Sequence, residues 1–161
     1  MNYEEVLVEI EKRGMMPVEV PLQVHDGLIA GSMIGIRQDI PTSTEKAQVA
    51  CEELAHGILN AGDIIDQDEM ANRKQEKKAR RLAHQLKGVN LEGIVSCYNA
   101  GCRNIYEMAE HLECTEEFLK EALVNYREIY GRYAAWKEYT IFFEPCLAVM
   151  RCPIRIDVRA K

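Results

Sequence analysis

The stretch Cys51-Glu52-Glu53-Leu54-Ala55-His56 sets two carboxylates and an imidazole within one predicted helix. Helix positions four apart share a face at about 6 Å, so Glu52 and His56 could hold one metal ion between them. Glu53, three residues before His56, could reach a water carried by that ion. The spacing is that of the zinc-binding helix pattern His-Glu-x-x-His, with Glu52 standing where the first His would be. Catalytic zinc takes three protein ligands and leaves the fourth position to water, so a third donor must come from elsewhere in the chain.

The helix that presents these residues is well announced. Thr42 with Glu45 three later forms a capping box, and Ser43 is an equally good cap. Ala47, Ala50, Cys51, Leu54, Ala55 and Ile58 make its apolar stripe, and Asn60-Ala61-Gly62 ends it. Past an acidic loop (Asp63, Asp66, Asp68, Glu69), a second helix is predicted from about Met70 to Lys87. Its Arg73–Leu86 stretch holds six basic side chains and one acid, Glu76, which lies in line with Ala79, Ala83 and Leu86. Glu76 is therefore expected to point toward the core, where a carboxylate needs a partner. Arg80, one turn along, could supply an ordinary ion pair. The preceding helix makes Glu76 the preferred third metal ligand instead, and His84, off that face, is expected to be exposed.

The remaining elements are read in order. Residues 3–13 have helical spacing and stop at Gly14; Val18–Leu22 and Leu28–Arg37 read as two or three short strands in a small antiparallel sheet, with His25 as a turn residue. Asn90–Gly101, Asn104–Leu112 and Thr115–Gly131 read as capped helices, the last two in a helix-turn-helix pattern. The second of these would present Glu116, Glu117, Lys120 and Glu121 to DNA, and three carboxylates repel phosphates, so the module is read as packing or partner recognition. Tyr139–Phe143, Leu147–Met150 and the alternating Ile154–Arg159 are strand-like. The expected class is α+β and mostly helical. Residues 1–89 form a core of sheet, signature helix and third-ligand helix, 90–131 a helical module, and 132–161 a strand-like tail.

Composition excludes several classes. The 161 residues are 47% hydrophobic and 29% charged, as in an ordinary globular chain. No apolar run approaches the ~18 residues that span a bilayer, and Met1-Asn2-Tyr3-Glu4-Glu5 carries no secretion signal, so a cytoplasmic protein is expected. The net charge is −6, divided as −6 over residues 1–60, +2 over 61–90 and −2 over 91–161, which disfavours nonspecific nucleic-acid binding outside Arg73–Arg81. Six cysteines include no Cys-x-x-Cys pair. Cys97, Cys102 and Cys114 could group on a metal, but buried free thiols are the preferred reading.

Residues from about 28 to 131 resemble the ImmA/IrrE family of zinc metallopeptidases, associated with phage and mobile-element regulators. The likeness rests on Ile34-Gly35-Ile36, Cys51–His56, Asp63–Gln67, Asn72–Ala83 and Gly101–Glu110 with Thr115–Leu119. It implies a gluzincin-like core followed by a helical module, and cleavage of a helix-turn-helix repressor. It also implies His56 and Glu76 as metal ligands and Glu53 as general base, with Glu52 in the position of the family's usual first His. Two His and one Glu around Zn²⁺ would leave one net positive charge; Glu52, His56 and Glu76 leave none, which weakens the acidification of bound water and shifts preference toward Mn²⁺. A domain of the same fold that binds a regulator without cleaving it is the alternative. A transcription factor would rest on the helix-turn-helix pattern and the Arg73–Arg81 run, and a di-iron bundle would need a second Glu-x-x-His that the chain lacks.

Overall fold

Side-chain caps fix most of the helix starts. In the computed structural model, which describes residues 1–60 and 69–152 and the side chains of 1–59 and 73–152, α1 spans Tyr3–Lys12. Asn2 accepts from the Glu5 N–H at 3.0 Å while Glu5 accepts from the Asn2 N–H at 2.9 Å, a capping box the sequence reading passed over. Half of the predicted box at Thr42 is present: Thr42 Oγ1 accepts from the Glu45 N–H at 3.1 Å and opens α2 (Ser43–Asn60), while the Glu45 carboxylate accepts at 2.8 Å from the Thr42 hydroxyl instead of its backbone N–H. α3 covers Glu69–Lys87 and α4 Leu91–Ala100, capped by Asn90. α5 (Ile105–His111) is capped by Asn104, and α6 (Glu116–Tyr130) by Thr115. The predicted Asp63–Asp68 loop and the Ile154–Arg159 strand lie outside the described residues.

The first sheet orders β1 (Met16–Val20), β3 (Met33–Arg37) and β2 (Gly27–Ala30), with β3 in the middle. β2 and β3 pair antiparallel as a hairpin around Gly31-Ser32, while β1 runs parallel to β3 with Val18 opposite Gly35. The sheet is thus mixed where an antiparallel one was expected. Its cause is the apolar run Ile34-Gly35-Ile36, buried at successive residues, which takes the central place and leaves residues 21–26 to carry the chain to its far side. α1, α2 and α3 pack with this sheet around Val6, Ile10, Ile34, Ile36, Cys51 and Leu54. Ala47, Ala50 and Ala55 of α2 and Ala79 and Ala83 of α3 share this core, and such small residues let the two helices approach closely.

A second core joins α4, α5 and α6 to β4 (Tyr133–Trp136), β5 (Tyr139–Phe142) and β6 (Ala148–Arg151), an antiparallel meander whose Ala134, Ile141 and Phe143 pack on Ile94, Leu119 and Tyr126. β4 was not anticipated, because Tyr-Ala-Ala-Trp lacks the polar alternation of a half-exposed strand. The two cores meet along α3. Lys87, fully buried, donates to the Leu112 carbonyl at 3.3 Å, and its own carbonyl accepts from the N-terminal ammonium at 2.9 Å. Gln48 accepts from the Thr115 N–H at 2.6 Å, and Tyr126 donates to the Val89 carbonyl at 2.8 Å. Among the described residues no helix is long and apolar enough to cross a membrane.

One position tests the packing between α3 and α4. A Cβ added at Gly93 would stand 2.3 Å from the Gly88 carbonyl oxygen and 3.1 Å from a Leu112 methyl. Alanine gains up to ~1 kcal/mol of helix propensity, but backbone cannot yield as a side-chain tip can, and overpacking typically costs ~1–3 kcal/mol or more. Gly93→Ala is expected to lower stability by about 2 kcal/mol net, read as a fall in Tm.

Candidate functional site around Glu52, Glu53, His56 and Glu76

The packing of α2 on α3 brings His56 and Glu76 together: His56 Nε2 lies 3.5 Å from Glu76 Oε2. Glu76 does not enter the core as expected. It remains 48% exposed at the helix rim, because the buried stripe of α3 runs through Ala79 and Ala83 and the close approach of two alanine-lined faces leaves no room for a carboxylate between them. The other Glu76 oxygen accepts from Arg80 Nε at 3.0 Å, and Arg80 also donates through its terminal nitrogen to Glu121 of α6 at 2.7 Å. The ion pair weighed from sequence and the His56 approach therefore coexist on one carboxylate.

Glu52 and Glu53 are both half-buried on α2, and neither accepts a hydrogen bond or an ion pair from any described residue. Burial raises the Glu52 carboxyl above the ordinary range. The Arg80 charge pulls it back, while Glu121, Glu53 and Glu76 push it further up. Glu53 is raised likewise, chiefly by burial and then by Glu76, against a lowering influence from His25. Four carboxylates thus influence one another around a single guanidinium and His56, a surplus of negative charge that suits a divalent cation.

As the side chains stand, no group of three or more His, Cys, Asp or Glu is arranged to hold a metal ion among the described residues. The pair His56–Glu76 is in place across the two helices, and Glu52 lies one helical turn before His56 on α2. A metal fits the donor chemistry and the charge of this site; the third ligand is what the side-chain geometry leaves to be supplied.

Glu53 occupies the gap between α2 and the sheet. A Cβ at Gly27 would fall 2.6 Å from Glu53 Cγ and 2.7 Å from Oε1, so only glycine at the start of β2 lets this carboxylate lie against the strand. β2 is an edge strand, with its outer side unpaired by any described strand. Gly27 and Glu121 are members of the site that the sequence reading missed. An Asp-Gly turn gave no sign of a glycine needed for close approach, and Glu121 was assigned to the outer face of α6, whereas Glu121 and Glu128 turn toward α3 to pair with Arg80, Lys77 and Arg81.

His84, expected to be exposed, is 2% exposed, packed edge-on to Phe118 with ring centroids 4.6 Å apart, and Asn125 Nδ2 stands 3.5 Å from its Nδ1. It belongs to the seam between the cores rather than to solvent. All six cysteines are free thiols. No protein-family model, curated protein or solved structure matches the chain.

Proposed function

We propose that the chain is a divalent-metal-dependent peptidase of the ImmA/IrrE type, with Glu52, His56 and Glu76 as metal ligands and a helix-turn-helix repressor as substrate. The observation that supports it most is the 3.5 Å approach of His56 and Glu76 from separate helices. When bound, zinc or manganese supplies Lewis acidity and a water of lowered pKa.

The chain's own residues account for the rest. Glu53, its carboxyl raised above the ordinary carboxylate value by burial and then by Glu76, serves as the general base that takes a proton from a water nucleophile. The free edge of β2 beside it offers backbone groups to an extended peptide, a common mode of peptide recognition, and would present a scissile carbonyl alongside Glu53. Arg80, held by Glu76 and Glu121, links the helical module to the ligand set. A cytoplasmic setting and a gluzincin-like core belong to the same proposal.

One observation favours a second reading, a repressor-binding regulator without catalysis. Arg80 already neutralises Glu76 and acts on Glu52, partly filling the role of a cation in the place of the missing His. A single assay separates the two. Incubation with the helix-turn-helix repressor encoded nearest the gene is expected to yield cleavage that a chelator stops. Retention of uncut repressor whether or not the chelator is present selects the regulator.

A further inference from the structure

The C-terminus of α4 ends in a Schellman motif: the Cys102 N–H donates to the Cys97 carbonyl and the Gly101 N–H to the Tyr98 carbonyl, each at 3.0 Å, with Gly101 left-handed at φ +81°. This motif characteristically brings the side chains at its first and last positions into contact. Here both are cysteines. Their thiols donate to consecutive carbonyls of α5, Cys97 to Met108 at 3.9 Å and Cys102 to Glu107 at 3.6 Å, which sets both side chains on the same stretch of α5. The two sulfurs line a cavity of about 350 Å³ with Ile94, Tyr98, Leu147 and Val149.

We propose that Cys97 and Cys102 form a reversible dithiol modification site, closing to a disulfide when hydrogen peroxide enters this cavity. Cys102, half-buried, is the sulfur reached first, and Cys97, fully buried, follows. Attack of the Cys102 sulfur on peroxide cleaves the O–O bond and gives a sulfenic acid and one water. The Cys97 sulfur then displaces the sulfenic hydroxyl, which leaves as a second water with the Cys97 proton. Two thiols are oxidised by two electrons and one peroxide is reduced. The order agrees with the Cys97 thiol being pushed up to about 12, by burial and then by Cys102, which keeps it from reacting with outside oxidants on its own. The closed bridge would pin the end of α4 beside α5, and it lies in the second core, independent of the metal proposal.

The test uses a convenience of the sequence: trypsin releases Gly88–Arg103, which contains these two cysteines and no other. The folded protein is treated with equimolar hydrogen peroxide and digested, and the peptide is weighed before and after dithiothreitol. The expected product is Gly88–Arg103 lighter by two hydrogens and restored by the reductant. It should form about 10-fold faster in folded protein than in urea, because the motif preorganises the pair. Gly101→Ala should slow closure and Cys114→Ser should leave it unchanged. Sulfinic acid at Cys102 with Cys97 still a free thiol, linkage of this peptide to Asn104–Lys120 through Cys114, or equal rates folded and unfolded would each overturn the proposal.

Discussion

Glu53→Gln is expected to reduce repressor cleavage by about 10²–10⁴-fold, the usual contribution of a positioned general base, while leaving the fold and partner binding unchanged. The amide has the shape of the carboxylate, so the fit against Gly27 is preserved. No described residue gives Glu53 a hydrogen bond to lose. Burial and the Glu76 charge both oppose its ionisation, so removing the charge should hold or slightly raise Tm, in the manner of an active-site residue kept at a cost in stability. The raised pKa also gives a pH signature. The base works only when ionised, so activity should fall on the acid side at a pH above the ordinary carboxylate range. Cleavage by Glu53→Gln at the wild-type rate would remove Glu53 from the chemistry.

The second large effect concerns acid stability. His84 is buried between α3 and α6, and burial lowers its pKa to about 4, with Glu121 favouring the charged ring and Arg80 opposing it. In the unfolded chain the ring titrates near ~6.5. Between those two values the unfolded state binds a proton that the folded state refuses. The contribution is therefore neutral above about pH 6.5, and stability is lost as pH falls toward 4, by about 3 kcal/mol from this residue. Glu52 and Glu53 act with the opposite sign: their folded pKa values lie above the unfolded ones, so they take up protons earlier on acidification and favour the folded state. Comparing wild type with His84→Gln isolates the histidine. The difference in unfolding free energy between them should shift by about 3 kcal/mol in favour of the variant between pH 7 and pH 4. Parallel curves for the two proteins would contradict a buried neutral His84.

The helix ends were the most legible feature of the sequence, because Thr42, Asn90, Asn104, Thr115 and Gly101 act on backbone groups within three or four residues of themselves. The i, i+4 relation of Glu52 to His56 is likewise local. What the sequence hid depends on packing between elements. Counting along α3 placed Glu76 in line with its alanines, but the depth to which two helices sink into each other decides whether that line is core or rim. His84 was misplaced for the converse reason: α6 covers a side of α3 that faces solvent in an isolated helix, and Phe118 and Asn125 are far away in sequence. The same covering accounts for part of the basic run, whose Lys77, Arg80 and Arg81 pair with acids of α6. β1 pairing parallel to β3 was hidden because strand neighbours follow from which segment is buried on successive residues, here Ile34–Ile36.

The central claim is that Glu52, His56 and Glu76 bind one divalent ion, and calorimetric titration of the folded protein with Zn²⁺ and with Mn²⁺ tests it most directly. Uptake of one ion per chain is predicted, weakened at least about 10-fold by His56→Ala and by Glu76→Gln, and strengthened by Arg80→Gln, which removes the competing cation. Absence of binding by either ion, or uptake indifferent to His56→Ala and Glu76→Gln, would contradict the account.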